Sequence, residues 1–461
     1  MIHPIEYRYY YPEMRKVWEE ESKLEKMLLV EKTVAEVQGE LGVIPKDYSE
    51  LISKRANTNY VKLNRIKEIE RGIGHDVMAL VKALAEVCEE AGEFVHFGLT
   101  SYDVVDTALA LQIKESLSII LRDLLELEDV LLDLAEKNKE LVCIGRTHGQ
   151  HAVPTTYGMK FCLFASEVHR HVQRILEVCP RILVGKITGA VGTQAALGPK
   201  AKEIQELVLK RLGLGVPDIT SQILQRDRHS ELMLKLALIS QTLYKIAEEI
   251  RNLQRTEILE VEEGFGEEQV GSSTMPGKRN PVTCERICGI SRTIKHLAMV
   301  SLDNIPLWHE RDLTNSSSER IIFPEIFILL DYSLKKMIHV LRNLKIYPEN
   351  IKRNLELTRG IIMAENIMMH ISRKIGRQRA HELLRNASMR AFEEKKSLKE
   401  VLIDEGIVGE LITERELENL LRPENYLGRA KEIVEETINK IRGERESILS
   451  RGRKLGLISL E

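Results

Sequence analysis

Residues 99–144 of this chain read LTSYDVVDTALALQIKESLSIILRDLLELEDVLLDLAEKNKELVCI and contain neither glycine nor proline. Apolar residues recur along this stretch at helical intervals, as Val105, Leu109 and Ile113 do, which is the pattern of an amphipathic α-helix. A helix of roughly 40 residues, at about 1.5 Å per residue, spans about 60 Å and is far longer than an ordinary globular helix. Because so long a helix needs neighbours along its whole length, the stretch predicts a helical bundle.

Other segments of the middle of the chain have the same character. A second run without glycine or proline covers residues 218–263, and apolar helical spacing returns after Pro154 and in residues 279–303 and 325–344. Together these segments predict about five long helices. Aromatic residues make up 5% of the chain and β-branched runs are few, which leaves little for a sheet. We therefore expect an all-α protein with a central bundle of long helices.

The two ends of the chain differ from its middle. Both consist of shorter helical segments interrupted by glycine or proline, at Gly42, Pro45, Gly72, Gly92, Gly360, Gly376, Gly406 and Pro423. With 461 residues, the chain exceeds what one hydrophobic core usually supports. We predict an N-terminal helical domain in residues 1–98, the long-helix domain in residues 99–347 and a C-terminal helical domain in residues 348–461. The charge-rich residues 430–454 are typical of a solvated helix.

Composition argues against several classes of partner and cofactor. The net charge of −3 provides no excess of cationic surface for nucleic acid or for an anionic membrane. The N-terminus lacks an apolar h-region, and no run approaches the roughly 18 apolar residues of a membrane span, so a cytoplasmic protein is expected. The six cysteines form no C-x-x-C pair and no zinc-finger spacing, which indicates reduced, mostly buried thiols. We expect neither a metal nor a cofactor.

Four polar stretches interrupt the helical pattern, and a helical bundle usually carries its site where helices start, stop or turn. They are HFGLTSYDVVDTA at residues 96–108, GRTHGQHAVPTT at residues 145–156, GSSTMPGKRNPVTCER at residues 271–286 and WHERDLTNSSSER at residues 308–320. Structural roles account for parts of them, because Thr100 or Ser101 can cap the following helix and the fourth stretch can be a surface loop. Turn chemistry alone does not require two histidines, His148 and His151, in the second stretch.

The third stretch is not a nucleotide phosphate loop. A Walker sequence requires its second glycine five positions after the first and a Ser or Thr after its lysine. Here Gly271 and Gly277 are six positions apart, and Arg279 follows Lys278. A Walker loop also leads from a strand into a helix, and no Val/Ile-rich strand precedes this segment. The stretch must therefore serve a different chemistry.

These stretches resemble the characteristic regions of the fumarase/aspartase superfamily, in the form that the adenylosuccinate lyase family carries. GSSTMPGKRNP is similar to the signature loop of the superfamily, GRTHGQHAVP to its second region and HFGLTSYDVVDTA to its first. Further elements follow the family order: RYYYPEM from residue 8, GHDVMA from residue 74, SQILQRDRH from residue 221 and ERDLTNSSSER from residue 310. The resemblance spans the chain and implies a three-domain, all-α fold of the fumarase/aspartase type.

The resemblance implies a C–N lyase of purine nucleotide biosynthesis. Family members release fumarate by β-elimination from adenylosuccinate, giving AMP, and from succinylaminoimidazole carboxamide ribotide, giving the carboxamide ribotide. Two alternatives stay open: a sister enzyme acting as an argininosuccinate lyase or a carboxymuconate cycloisomerase, and a structural homologue without catalysis. The Arg8-Tyr9 element and residues 311–320 favour a phosphorylated nucleotide as the substrate. The four catalytic residues that the resemblance implies are all present, which favours an enzyme; they are Ser272, His148, Lys278 and Glu285.

The resemblance also implies which residues act on the reacting bond. Ser272 takes the place of the base, in a loop where backbone N–H groups and Lys278 can stabilise its alkoxide and the carbanion. His148 takes the place of the acid that protonates the leaving nitrogen, with His151 as the competitor. Glu285, seven residues after Lys278, takes the place of the carboxylate that pairs with this histidine and keeps it protonated near neutral pH.

Binding residues are carried over from the same motifs. The succinyl carboxylates are expected to meet Thr100, Ser101, Lys278 and Asn280. The base or the succinyl portion is expected to meet Gln222 and Arg286, and Ser273 lies beside the catalytic serine. The planar fork of arginine suits phosphate. The 5′-phosphate is expected to meet Arg8, Tyr9, Arg311, Ser316 and Arg320, and the nucleotide side to be lined by His75, Asp76 and His96.

The resemblance further implies a homotetramer in which the long helices form a common core and each active site draws on three subunits. Long helices without breakers are too apolar for the exposed face of a monomer, which agrees with such an assembly. Gly74 before His75 and Gly277 in the loop depart from the family pattern and bear on fine substrate preference. Gly264, Gly266 and Gly271 can act as loop hinges or simply as flexible loop residues.

Overall fold

The computed structural model describes residues 2–264, 275 and 277–459. The N-terminal part of the described chain contains α1 (Pro12–Val17), α2 (Glu20–Glu40), α3 (Lys46–Arg55), α4 (Leu63–Ile73) and α5 (Asp76–Val87), with 3-10 turns at Pro4–Glu6 and Glu89–Phe94. The α-helices are interrupted at Gly42, Pro45 and Gly92 as expected, whereas Gly72 lies inside α4. Gly74 ends α4 with φ of 68°, a left-handed conformation that glycine adopts without steric cost.

The middle of the chain contains the long helices. They are α6 (Ser101–Lys137), α7 (Tyr157–Ile182), α9 (Asp227–Leu253), α10 (Val282–Asp303) and α11 (Thr314–Arg342), with the shorter α8 (Ala201–Leu212) and a 3-10 turn at Ala195–Lys200. The five long helices have 22 to 37 residues each, so the predicted all-α bundle is confirmed. Helix α10 packs between α9 and α11, and α6 packs against α7 and α11.

Two small antiparallel sheets accompany the helices in the described residues. They pair β1 (Val142–Thr147) with β2 (Gln150–Thr156), and β3 (Val261–Glu262) with β4 (Lys345–Ile346). The first pair corrects the expectation of one helix through residue 144, because α6 ends at Lys137 and the chain then turns into a hairpin. His148 and Gly149 form its tip with φ of 55° and 74°, the left-handed pair that a tight hairpin turn requires.

Two long helices begin elsewhere than the sequence pattern suggests. Helix α9 begins at Asp227 instead of residue 218, and α11 begins at Thr314, well before residue 325. The apolar periodicity of the sequence did not reveal the start of α11 because the first turns of this helix are polar. Asn315, Glu319 and Ile322 are nevertheless buried at helical spacing, so polar residues occupy part of the inner face of this helix.

The C-terminal part of the described chain returns to short helices and ends on a long one. It contains α12 (Pro348–Glu356), α13 (Ala364–Ile375), α14 (Arg377–Glu393), α15 (Leu398–Asp404), α16 (Ile407–Glu410), α17 (Glu414–Leu420) and α18 (Ala430–Lys454), with 3-10 turns at Ile361–Met363 and Pro423–Asn425. Helices α13 to α17 enclose an apolar cluster of their own. A larger cluster runs through the N-terminal helices, the long helices and α18. The division into three domains stays a prediction.

Helix α18 has the bounds predicted for a solvated helix, but only one of its faces is exposed. Its buried residues lie against α6 and α7. His169 of α7 joins this contact, since its Nδ1 lies 2.9 Å from Glu128 of α6 and its Nε2 lies 3.0 Å from Glu444 of α18. The hydrogen bond to Glu128 raises the pKa of His169, and this effect exceeds the lowering by burial.

The remaining expectations concern cysteines and membrane spans. All six cysteines are buried and free of disulfides, as expected. Burial raises the pKa of Cys143 to about 12, so this thiol is unreactive at neutral pH. No helix in the described part of the chain combines the length and the apolar character that crossing a bilayer requires.

Candidate active site

A cleft of about 810 Å³ opens between α2, α5, α6 and α11, a size typical of small-molecule sites, which run to about 300–1,000 Å³. Eight residues predicted from the sequence motifs line it: His75, Asp76, Thr100, Ser101, Gln222, Arg311, Ser316 and Arg320. They come from the starts of α5, α6 and α11 and from the connections before α9 and α11. The fold thus brings four of the sequence motifs to one place.

Arg311 lines this cleft and has two buried donors without a partner in the described residues. Its Nη1 donates to Oε1 of Gln222 at 3.1 Å, and its guanidinium carbon lies 3.7 Å from the ring centroid of Tyr102. Its Nε and Nη2 are buried and have no hydrogen-bond partner in the described part of the chain. Because unpaired buried donors are costly, these two groups are suited to the oxygens of a bound anion.

Arg320 and Asp76 form an ion pair in the cleft, with Nη2 and Oδ2 2.6 Å apart. Burial, the largest single effect, would raise the pKa of Asp76, but the hydrogen bonds from Arg320 and from the N–H of Val77, with the charges of Arg320 and Lys23, together hold that pKa below its usual value. Lys23 of α2 also lines the cleft, and burial and the neighbouring Arg320 lower its pKa. With Glu20 and Glu70 nearby, charges of both signs meet here. A bound phosphate would therefore have to replace Asp76 as the ion-pair partner of Arg320.

The start of α6 is fixed by a buried carboxylate. Thr100 is the N-cap residue, as the capping alternative predicted, and its N–H donates to Asp103 at 2.8 Å. Asp103 also accepts from the ammonium of Lys186 and from the N–H of Thr188, and both Asp103 and Lys186 are fully buried. The pair is well satisfied, which a buried ion pair requires. It holds Thr100 and Ser101 at the edge of the cleft.

A second buried network sets the position of Gln222. Arg226, four residues further along, donates from Nη2 to Asp106 of α6 at 2.9 Å and from Nε to Glu319 of α11 at 2.7 Å. Its Nη1 donates to the carbonyl of Leu224 at 3.0 Å. The guanidinium therefore bridges three walls of the cleft, and loss of one partner would leave buried charge uncompensated.

The hairpin of β1 and β2 carries His148 on its exposed tip. Its base is attached to Glu260, a buried carboxylate that accepts hydrogen bonds from Arg146 at 2.6 Å, from Tyr157 at 2.7 Å and from Asn354 at 2.9 Å. Burial would raise the pKa of Glu260, but these hydrogen bonds outweigh it and lower that pKa. The hairpin therefore projects His148 from a firmly held base.

His151 lies lower on the same hairpin, where it pairs in register with Arg146. Burial, followed by the charge of Arg146, lowers the pKa of His151. Its Nδ1 is buried and lacks a hydrogen-bond partner among the described residues. A histidine held neutral at pH 7 has no proton to give, which weighs against His151 as the acid. The choice of His148 stays a prediction.

The signature stretch is described only in part. Ser272 and Ser273 lie outside the described residues. Lys278 is exposed and Asn280 is partly buried. Glu285 and Arg286 follow in the first turns of α10.

Hydrogen bonds join the chain segment before this stretch to the start of α10 after it. The buried carboxylate of Glu263 accepts from the N–H of Thr283 at 2.9 Å and of Cys284 at 3.0 Å, at the N-terminus of α10. Gln254 accepts from the N–H of Glu263 at 2.9 Å and donates to the carbonyl of Arg279 at 3.2 Å. A carboxylate at a helix N-terminus accepts hydrogen bonds from the free N–H groups there. Its negative charge also interacts favourably with the positive end of the helix dipole. Glu263 thereby sets where α10 begins.

Three further predicted residues gather around Tyr332 of α11. The rings of Tyr9 and Tyr332 meet edge to face with centroids 5.6 Å apart, and the guanidinium carbon of Arg8 lies 5.7 Å from the Tyr9 centroid. Arg286 donates to the hydroxyl of Tyr332 at 2.9 Å. Arg8, Tyr9 and Arg286 thus form a group separate from the described lining of the cleft.

His96 also lies away from the described cleft lining. Its Nδ1 is 2.6 Å from Oε1 of Glu31. Burial, the largest single effect, would lower the pKa of His96, but the hydrogen bond to Glu31 and the charges of Glu31 and Asp103 together raise it. His96 is therefore held by a carboxylate within its own chain.

Within one chain the predicted acid and its predicted carboxylate partner do not meet. In the described residues, neither His148 nor Glu285 has a side-chain hydrogen bond or ion pair. The cleft lining described above includes neither of them, nor Lys278. Tyr102 and Lys23 are among the lining residues that the sequence analysis did not name. Tyr102 lies inside the first motif, which was a usable signal, whereas Lys23 lies in an ordinary amphipathic helix.

Comparisons with known proteins define the class to which this fold and site belong. A family model described as "Lyase" matches residues 6–295, and one described as "Adenylosuccinate lyase C-terminus" matches residues 360–437. The structure resembles that of a fumarate lyase from Mesorhizobium sp. BNC1, with a TM-score of 0.87 and 32% identity over 94% of this chain and 98% of the other. It also resembles the 3-carboxy-cis,cis-muconate lactonizing enzyme of Pseudomonas putida, with a TM-score of 0.87 and 33% identity over 95% and 99%. The fold is that of the fumarase/aspartase-type lyases.

Two curated relatives narrow the class. The chain is 57% identical to an adenylosuccinate lyase of Pyrococcus abyssi, over 95% of this chain and 98% of the relative. It is 55% identical to an adenylosuccinate lyase of Methanocaldococcus jannaschii, over 96% and 97%. The chain therefore belongs to the adenylosuccinate lyase family.

Proposed function

We propose that this chain catalyses the β-elimination of fumarate from adenylosuccinate, giving AMP, and from succinylaminoimidazole carboxamide ribotide, giving the carboxamide ribotide. Membership of the family makes the chain a C–N lyase. The observation that carries the substrate proposal is the cleft, where eight motif residues meet, among them Arg311 with two buried donors that have no partner in the described part of the chain. A nucleotide substrate belongs to the cell interior, so the cytoplasm is the proposed compartment.

The chemistry assigns a role to each catalytic residue. Removal of the C–H proton beside a carboxylate leaves a carbanion whose charge spreads into an aci-carboxylate. We assign this step to Ser272, by its place in the signature stretch, and stabilisation of the anion to Lys278. Protonation of the leaving nitrogen is assigned to His148, with Glu285 as the carboxylate that keeps it protonated. No step requires a cofactor.

The binding roles follow the positions of the predicted residues. Arg311, Ser316 and Arg320 line one cleft and are assigned to the 5′-phosphate. Arg8 and Tyr9 are assigned to the same phosphate from another part of the assembly. The nucleotide side is assigned to His75, Asp76 and His96, and the succinyl group and base to Thr100, Ser101, Gln222, Ser273, Asn280 and Arg286.

A homotetramer with shared active sites is part of the proposal. In the described residues of one chain, the cleft lining includes none of His148, Lys278 and Glu285, which supports a site completed by parts from different copies. Large apolar side chains on the long helices also lack cover, since Leu163, Leu238 and Met299 are 56%, 51% and 51% exposed. Burial of such residues between subunits is the usual reason for this pattern.

The two alternatives are less well supported. Several adenylosuccinate lyases reach 41–57% identity with this chain, whereas the lactonizing enzyme of the same fold reaches 33%. A structural homologue without catalysis has no reason to retain Ser272, His148, Lys278 and Glu285 together. Neither alternative requires the donors of Arg311 to be unpaired.

Substrate cleavage tests the proposal directly. The purified protein is mixed with adenylosuccinate, argininosuccinate or 3-carboxy-cis,cis-muconate, and the products are followed by ultraviolet absorbance and chromatography. Release of fumarate and AMP in equal amounts is expected with the first compound alone. Turnover of either of the other two, without cleavage of adenylosuccinate, would refute the proposed substrate.

A further inference from the structure

Tyr102 lies beside Arg311, a residue to which the proposed function assigns the phosphate. The guanidinium carbon of Arg311 lies 3.7 Å above the Tyr102 ring, close enough for a face-to-face stack. Ser316, which is assigned to the same phosphate, lies in the first turn of α11. All three side chains line the cleft. None of the assigned roles includes Tyr102.

The stack constrains a side chain that has few other constraints. Arginine has several rotatable bonds, and a guanidinium must lie in one plane to present two donors to one anion. Gln222 holds only Nη1 of Arg311, while Nε and Nη2 have no partner in the described part of the chain. A single hydrogen bond leaves the guanidinium free to tilt about it. The flat face of Tyr102 removes that freedom.

The position of Tyr102 in the chain makes the constraint a rigid one. Tyr102 is the second residue of α6, and Thr100 and Asp103 on either side belong to the capped helix start described above. Arg311 and Ser316 lie just before and within the first turn of α11. The ring therefore connects the starts of two long helices at the point where the phosphate is expected.

We propose that Tyr102 is a positioning residue that sets the plane of the Arg311 guanidinium for a phosphate dianion. The proposal rests on the function proposed above and deepens it. It states that Tyr102 acts on binding of the phosphate and not on the elimination step. A packing residue of the same size would affect both phosphorylated and unphosphorylated ligands.

Two variants separate the ring from its hydroxyl. Tyr102→Phe keeps the stack on Arg311, so KM for adenylosuccinate should stay within about 2-fold of the unmodified value. Tyr102→Leu loses the stack and should raise KM about 3- to 30-fold, with kcat nearly unchanged. For succinyladenosine, which lacks the phosphate, both variants should match the unmodified enzyme. Tyr60→Leu is the matched control, because Arg55 stacks on Tyr60 at 4.4 Å outside the cleft lining.

A binding measurement keeps the inference separate from the reaction. The ratio of the affinities for AMP and for adenosine, measured by calorimetry, gives the contribution of the phosphate. Tyr102→Leu should reduce this ratio, whereas Tyr60→Leu should leave it unchanged. In an Arg311→Ala background, Tyr102→Leu should have little further effect. Absence of adenylosuccinate cleavage by the unmodified protein would overturn the proposed function. An unchanged AMP-to-adenosine ratio in Tyr102→Leu, or an equal loss with both substrates, would overturn the role of Tyr102.

Discussion

Replacement of Glu263 tests how the start of α10 supports catalysis. Its carboxylate accepts hydrogen bonds from the N–H groups of Thr283 and Cys284, which lie a few positions after Lys278 and Asn280 in the sequence. In Glu263→Ala both N–H groups lose their acceptor. Glu263→Gln retains one acceptor oxygen but loses the negative charge that stabilises the positive end of the helix dipole.

The magnitude follows from burial of the two donors. An unpaired buried N–H costs about 1–3 kcal/mol, and removal of a helix cap costs about 0.5–2 kcal/mol. Cys284 is buried and Thr283 is partly buried, so water can replace the acceptor at Thr283 but not at Cys284. We therefore expect the start of α10 to lose about 2–3 kcal/mol in Glu263→Ala and about half of that in Glu263→Gln. At about 1.4 kcal/mol per tenfold change in rate, kcat falls by up to about 30- to 150-fold and about 10-fold, respectively.

The assay combines kcat at saturating adenylosuccinate with the thermal midpoint of each variant. Glu257→Ala is the control, because Glu257 is a 70% exposed glutamate on the same connection. Both Glu263 variants should lose more activity than the control, and Glu263→Ala should lose more than Glu263→Gln. Circular dichroism should show an intact helical fold in both. If Glu263→Ala melts and turns over substrate as Glu257→Ala does, the carboxylate does not position the start of α10 for catalysis.

Four other outcomes are expected. His148→Gln should lower kcat by about 10² to 10⁴, the usual contribution of one positioned acid; a larger loss in His151→Gln would reverse the assignment. Ser272→Ala and His148→Gln, each nearly inactive alone, should regain activity when refolded together, and mixtures that exchange subunits without recovery would contradict sites shared between subunits. Arg320→Ala should raise KM for adenylosuccinate more than it lowers kcat, whereas a loss confined to kcat would argue against a phosphate role. His169 has a raised pKa in the folded protein, so its stabilising contribution is complete below its unfolded pKa of about 6.5 and is lost as pH rises through the folded value. The difference in thermal midpoint between the unmodified protein and His169→Gln should therefore shrink from pH 6 to pH 9.

Much of the fold could be read from local pattern. Helical periodicity depends only on neighbours three and four positions apart, so five long helices were predicted without knowledge of their packing. The same pattern failed where polar residues take inner positions, as Asn315 and Glu319 do at the start of α11. It also failed at Lys137, where the chain leaves the helix for a hairpin although no glycine or proline marks the end.

The sequence alone determined the identity and order of the chemical groups. Its motifs name the residues of the cleft, because each motif is contiguous and its residue types are those that the chemistry requires. Only the tertiary structure decided which of them meet. Asp76 and Arg320 are 244 positions apart and Asp106 and Arg226 are 120 apart, and contacts at such separation depend on how helices pack. Burial also gives Arg311 its unpaired donors and Tyr102 its place beneath them, because both properties arise only when the starts of two helices are brought together.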